Sequence, residues 1–386
     1  MRHRPLLTVL TTCALVAAGV LPARASVGST VTTPCAQPNG RVAAMVTSGR
    51  TLYLGGSFTS VRNRAGALQP RAHLAAVDAD TCELLPWRAD TDADVYALEA
   101  SGGVVYAGGA FTHVGGTARA RLAALDATAT VLPFDGALDK PVRALDAVGG
   151  SLYAGGDFLA AQGTARSRLA AYDLGTGVVR SGWKPAANGS VLTVEGRPDG
   201  VAVYVGGNFT TVNGSSQPYL SLLGATDGSV DAGFTPWAQY AQPPFPMIDL
   251  VADSRGLYGG GGGSGGHLVV WNLDGTLQRP VYQTDGGVQA VAVDGDSLYV
   301  GGHFTNYCLG NTGSGPPYVC TNPLSRRKAF EVRLSTGELT SWAPRFNSPH
   351  GVLSAVVDPV THGLWTGGDF TKIGTKAVDH LAGFKP

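Results

Sequence analysis

The feature that most constrains this chain is a strand-like phrase with two glycines at its centre, written seven times. It reads "TLYLGGSFTSV", "VVYAGGAFTHVGG", "SLYAGGDFLAAQG", "AVYVGGNFTTVNG", "GLYGGGGGSGG", "SLYVGGHFTN" and "GLWTGGDFTKIG". The first glycine of each pair is Gly55, Gly108, Gly155, Gly206, Gly260, Gly301 and Gly367, so the copies recur every 41 to 66 residues. A period of that size matches the four-stranded unit of a β-propeller blade.

Each copy keeps one internal order. An alternating apolar segment comes first, as in "VYALEASGG" or "VRALDAVGG". Its period of two argues for a strand and against a helix. A tight turn and the Tyr-x-Gly-Gly strand follow. After a polar loop of variable length comes a third strand such as "RLAAYD", then turns such as "DLGTG" and "NLDGT", whose Gly and Asp favour hairpins. A fourth segment carries an aromatic residue near a proline: Trp87, Phe134, Trp183, Trp237 or Trp342. These large rings are expected to fill the seams between sheets. Within the second strand, Tyr153, Gly155 and Asp157 share one face, and glycine inside a strand marks the close approach of another element.

The pattern predicts an all-β fold: a seven-bladed β-propeller of four-stranded antiparallel blades spanning 26–386. A lone blade leaves both faces uncovered, so the copies must stack around an axis. The expected blades are 40–90, 91–139, 140–186, 187–240, 241–283, 284–344 and 345–386. The seventh lacks a fourth segment after "DHLAGFKP", and residues 26–39 are left over before the first copy. This N-terminal segment is expected to complete the seventh blade and close the ring.

The repeat "LYxGGxFTxVxG…R…LAAxDxxTGxxxxW" resembles that of bacterial delta-60 repeat proteins and, more distantly, fungal cortical cell-polarity marker propellers. The resemblance spans 40–386. It implies the propeller fold and says little about activity, because these repeats look like scaffolds. The fifth copy departs most, lacking the Phe after its Gly pair. The sixth carries an insertion.

Residues 1–25 read as a secretory signal peptide: basic "MRHR", a short apolar run, then Ala23-Arg24-Ala25 as an A-x-A cleavage site. Cys13 does not fit a lipoprotein anchor, since Thr12 precedes it in mid-run. No later stretch is long and apolar enough to span a bilayer. The whole chain holds 28 basic and 28 acidic residues. Loss of Arg2, Arg4 and Arg24 would leave a mild acidic excess and no basic cluster, which argues against nucleic acid as a partner. The expectation is a secreted, extracellular monomer without a membrane span.

Four cysteines lie beyond residue 25. An even number in an exported chain suggests disulfides, with three possible pairings. Cys308 and Cys320 bracket one Gly/Pro-rich loop, "CLGNTGSGPPYVC", which favours a local bond and leaves Cys35 to pair with Cys82. Such a bond would pin the N-terminal segment to the first blade. The absence of CxxC argues against zinc.

Several motifs offer chemistry. "GGGSGG" around Ser264 matches G-x-S-x-G, but an esterase elbow needs a strand-to-helix turn. "AAYDLGTGVVRSGW" is similar to the Trp-docking motif of quinoprotein propellers, with Trp183 two residues late, and no quinone cofactor is expected. Asp90, Asp92 and Asp94 have a spacing that could ligate a structural calcium, although Val95 stands where an EF-hand loop needs glycine. The residues opening the third strands are His73, Arg121, Arg168, Tyr219, His267, Phe330 and His380. Arg119, Arg121, Arg166 and Arg168 could rim one loop face, or else form local hydrogen bonds and ion pairs. "PWAQYAQPPFPM" could offer Trp237, Tyr240 and Phe245 as an aromatic shelf for a sugar or a protein.

These readings favour a binding or scaffold module that recognises a cell-envelope glycan or a protein through one loop face. The alternative is a carbohydrate-active enzyme, a lyase or glycosidase. A glycosidase needs two carboxylates roughly 5–9.5 Å apart, so Asp92, Asp94 or Asp249 would have to converge on the axis.

Overall fold

The computed structural model describes residues 26–33, 35–240, 243–263, 265–312 and 319–386. The expected signal peptide (1–25) and Ser264 lie outside these residues.

Every Gly-Gly copy becomes the middle strand of an antiparallel sheet. In the third copy Val142–Val148 pairs with Ser151–Gly156, which pairs with Leu169–Asp173. The corresponding first strands elsewhere are Val42–Ser48, Val95–Ser101, Val191–Gly196, Met247–Asp253, Val288–Asp294 and Val352–Val357. Among the described residues these seven main sheets are joined by five smaller ones of two or three strands, and there is no helix.

The first strand of each sheet lies beside that of the next, and the first strand of sheet seven lies beside that of sheet one. The glycines set this approach. A Cβ on Gly155 would come 2.5 Å from Val191 Cγ1 of the next sheet. The same overlap, 2.5–2.9 Å, occurs at all seven first glycines, and Gly367 of sheet seven meets Val42 of sheet one. No side chain fits there, so the repeated glycine is a packing requirement.

Tyrosines reinforce the seams. Tyr153 OH donates to Ala225 O at 2.7 Å and Tyr204 OH to Leu273 O at 2.7 Å, each in the following sheet. Their rings meet aromatics of the fourth segment edge-on or tilted: Tyr53 with Trp87, Tyr106 with Phe134, Tyr153 with Trp183, and Tyr299 with Trp342. In the fourth sheet the partner of Tyr204 is Phe234 and not Trp237.

Two expectations need adjustment. A fourth strand forms only in sheet two, where Val131–Asp135 pairs with Leu122–Leu125, and in sheet five, where Tyr282–Thr284 pairs with Gly266, His267 and Leu268. Elsewhere the fourth segment makes a single bridge, such as Val77 with Leu84 or Tyr172 with Val179. Its prolines lack the N–H a ladder needs. An arginine takes over. Arg71, Arg119, Arg166 and Arg326 each donate to a carbonyl of the fourth segment, at Leu85, Leu132, Arg180 and Thr340, at 2.7–3.3 Å. Second, Phe330 does not open the sixth third strand, because it lies inside Ala329–Arg333. The opening position is Lys328, whose φ of 72° matches His73, Arg121, Arg168, Tyr219 and His380 at 64–69°.

The N-terminal segment lies along the last strand. Gly28 N donates to Lys385 O and Thr32 N to Gly383 O, both at 2.8 Å, and Val31 bridges Phe384. Cys35 is bonded to Cys82, and Cys308 to Cys320. The second bond ties a hairpin, Asn306–Thr312 with Val319–Ser325, that extends sheet five to six strands. The two disulfides are compatible with an extracellular protein.

Candidate functional site

The seven first strands surround a cavity of about 360 Å³. All seven carry the same irregularity. The pairing register shifts between the first and third residues, as at Val142 and Ala144. A bulge of this kind re-aims the extra residue. Here the extra residues are Ala43, Tyr96, Arg143, Leu192, Ile248, Gln289 and Leu353, and all of them line the cavity. The flanking position reads Val, Val, Val, Val, Met, Val and Val, so the copies agree on packing and differ at the axis.

Arg143 is the best-fixed charge here. Its guanidinium carbon lies 4.7 Å from the centre of the Tyr96 ring. Its Nε donates to Asp157 Oδ2 at 3.0 Å, while Asp157 Oδ1 accepts from Ser190 Oγ at 2.6 Å. Burial, then the nearby Asp94, raises the Tyr96 phenol above its ordinary range.

Further along the first strands lies a belt of acids. Gly196 N donates to Asp146 Oδ2 at 2.6 Å, Ala252 N to Glu195 Oε1 at 2.8 Å, and Val291 N to Asp249 Oδ2 at 2.8 Å. In each case a carboxyl from one sheet meets a backbone N–H of the next sheet's first strand. The axis-facing edge of that strand has no ladder partner, and the carboxyl supplies one. Glu195 and Asp249 line the cavity, so water reaches them although they lie deep in the molecule. Burial pushes Asp249 up to about 7. Burial, reinforced by Asp146, lifts Glu99 to about 8, and burial raises Asp146 and Glu195 as well. Asp249, one of the carboxylates that the enzyme alternative would need at the axis, thus lines the cavity together with Glu195.

Asp92 and Asp94 do not join them. Asp92 Oδ1 accepts from Thr112 N and His113 N at 2.7 and 3.0 Å. Burial opposes ionisation there, but these hydrogen bonds prevail and hold its carboxyl well below the ordinary range. Asp92 is one of six equivalent clamps. Asn39, Asp139, Asn188, Asp285 and Asn347 also accept two successive backbone N–H groups of the loop between strands two and three, all at 2.7–3.0 Å. Asp90 accepts from Ala72 N and Arg88, and Asp94 lies 3.5 Å from His73. The three carboxylates thus serve three different partners. Among the described residues no three His, Cys, Asp or Glu side chains gather as metal ligands.

Arg121 donates to Ala110 O and to Phe111 O, and Arg168 to Ala187 O at 2.9 Å. Both guanidinium groups therefore brace local backbone. Trp237, Tyr240 and Phe245 come together with ring centres 5.2–5.7 Å apart. They pack inward on Trp271 and His267, and Phe245 is only 4% exposed. Trp237 and Tyr240 keep half-exposed edges. Burial lowers His267 to about 4, which keeps it neutral in this cluster.

Comparison with known proteins agrees on architecture. A family model described as a domain of unknown function (DUF5122) beta-propeller matches residues 198–234. No curated protein matches the chain. Among solved structures it is similar to the crystal structure of the computationally designed Ika8 protein. That likeness has a TM-score of 0.54 and 12% identity, and it covers 91% of this chain and 98% of that one. The repeats, the all-β sheets and these matches identify the fold as a β-propeller.

Proposed function

We propose that this chain is a seven-bladed β-propeller of the delta-60 repeat kind, closed by its N-terminal segment and exported, that works as a binding module. Its ligand, a cell-envelope glycan or a protein segment, enters the axial cavity. The observation that carries this reading is the contrast between neighbouring positions on the inner strands. Packing positions repeat around the axis, while the seven bulged residues lining the cavity do not. A scaffold without a ligand has no need of that asymmetry, whereas pockets combine apolar walls with a few placed polar groups. Ring closure is supported by the contact of Gly367 with Val42 and by the pairing of residues 28–32 with the last strand. The half-exposed edges of Trp237 and Tyr240 form a second, outer contact.

The enzyme reading is favoured by one observation, the pair Glu195 and Asp249 in the cavity wall. Against it, both oxygens of Asp249 accept backbone N–H groups, from Leu250 and Val291, so that carboxyl braces the ring. A glycan and peptide array probed with wild type and Arg143→Ala tests the binding reading. Specific binding lost in the variant supports it. Turnover of a bound glycan that disappears in Glu195→Gln would favour the enzyme.

A further inference from the structure

Three polar groups in the cavity wall lack protein partners that their chemistry calls for. The Nη groups of Arg143 donate to no protein acceptor among the described residues, since its one hydrogen bond leaves from Nε. Gln289 Oε1 and Ser354 Oγ are buried without a hydrogen-bond partner, and both residues line the cavity. Unpaired buried polar atoms are costly and point to an absent partner. Arg143 belongs to sheet three, Gln289 to sheet six and Ser354 to sheet seven, with apolar Leu192 and Ile248 between them on one side. The wall thus offers a donor fork on one flank, a side-chain amide on another, and an apolar stretch.

Resting on the reading of the axial cavity as the binding site, we propose that it takes a small, hydroxyl-rich carboxylate, a sugar acid. The carboxylate sits on the Nη fork of Arg143, and a ligand hydroxyl meets the side-chain amide of Gln289, while Ser354 Oγ is turned onto Gly367 of its own sheet and makes no ligand contact. A planar carboxylate matches a guanidinium that keeps its terminal nitrogens free. The Tyr96 ring and the Asp157–Ser190 pair hold that fork in place before the ligand arrives. A single negative charge suits the site better than a phosphate dianion. Asp157 already offsets Arg143, and Glu195 and Asp249 line the same cavity. A volume of about 360 Å³ lies at the small end of ligand pockets. A peptide carboxyl terminus fits less well. Its chain would seek the inner-strand N–H groups, and those of Gly196, Ala252 and Val291 are already taken by carboxyls.

The test is titration calorimetry at pH 6 on the full mature chain, with D-glucuronate, methyl glucoside and acetyl-diglycine as probes. Glucuronate should bind at least tenfold more tightly than either other probe. Arg143→Gln should lower its affinity at least tenfold with melting unchanged, Arg143→Lys should recover part of the loss, and Gln289→Leu should cost several-fold. Equal binding of the neutral glucoside, preference for the peptide acid, or indifference to Arg143→Gln would each overturn the sugar acid. NMR of the axial side chains separates this from failure of the broader reading. If neutral sugars or peptides perturb Tyr96, only the acid assignment falls. If no compound in a mixed sugar and peptide library perturbs it, the axial site itself falls.

Discussion

Val142 and Arg143 are neighbours on one strand and answer to different constraints. Val142 fills the gap left by Gly108 in the preceding sheet. Its counterparts are valine in every other copy but one, where methionine serves. Arg143 is the bulged residue, and its counterparts are Ala, Tyr, Leu, Ile, Gln and Leu. The seam tolerates one solution, because two backbones and a branched side chain meet with no spare volume. The axis opens on solvent, so its residues are free to diverge. Repetition here marks what holds the molecule together, and disagreement marks where it can do something.

The comparison can be broken most forcefully at the seam. Gly155→Val should destabilise by about 3 kcal/mol or more, because overpacking in a rigid contact forces backbone movement. Gly367→Val should cost as much if sheet seven packs on sheet one as the others pack on their neighbours. Chemical denaturation reads both, and a neutral Gly367→Val would refute ring closure. Next comes the N-terminal tie. Replacing Cys35 and Cys82 by Ser should cost about 2–4 kcal/mol, with early loss of amide protection at Gly28 and Thr32 in hydrogen exchange. A clamp is smaller still. Asp139→Ala frees two loop N–H groups to water and should cost about 1 kcal/mol, whereas Asp139→Asn should be nearly silent, since asparagine serves in sister copies. Arg143→Ala should change stability by less than about 0.5 kcal/mol while removing ligand binding.

The acid belt predicts a pH dependence with a defined sign. Asp249 and Glu99 have ordinary values of 3.8 and 4.5 and are raised to about 7 and about 8 in the folded protein. Between the two sets of values the folded state holds more protons than the unfolded chain, so stability falls as pH rises. Melting temperature should decline from pH 5 to pH 8, and Asp249→Asn should flatten the decline. A melting curve that rises over that range would contradict neutral acids at the axis. Glucuronate affinity should also weaken as pH passes 7, because Asp249 then adds negative charge to the cavity wall.

Much of the architecture is readable in the repeat. The Gly pairs and the hairpin turns anticipate all-β sheets with the Gly-Gly strand in the middle, and the cysteine spacing anticipates both disulfides. The site is harder to read, for physical reasons. Strict alternation sets Val142 and Ala144 on one face, but the bulge makes Val142 and Leu145 the packing pair. The missed signal is an apolar residue followed three places later by another, as in Val95 and Leu98 or Met247 and Leu250. The clamps escape notice because Asn and Asp alternate in the role. Asn39, Asp92, Asp139, Asn188 and Asp285 each stand three residues before the inner-strand Val, a spacing that marks Asp92 as one of the clamps. Glu99, Asp146 and Glu195 look like the solvent side of an alternating strand, yet Asp146 and Glu195 reach the first strand of the next sheet, a contact that the pattern of one strand alone does not show. In the sixth copy the insertion after Tyr307 obscures where the third strand begins, so Lys328 does not stand out as its opening residue.

The pairing of Val31 with Phe384 joins positions more than 350 residues apart in the chain. Closing so long a loop is entropically slow, and non-local pairing of this kind delays folding. An emerging chain can complete its early sheets in order, each stacking on the one before. The first residues must nevertheless wait, with their strand edge unpaired, until the last strand arrives. The Cys35–Cys82 bond spans only 47 residues and can form long before that, tethering the waiting segment close to where the final strand will dock. Oxidation before the last sheet is made should therefore speed the closing step, and reduced chains should linger as open, aggregation-prone rings.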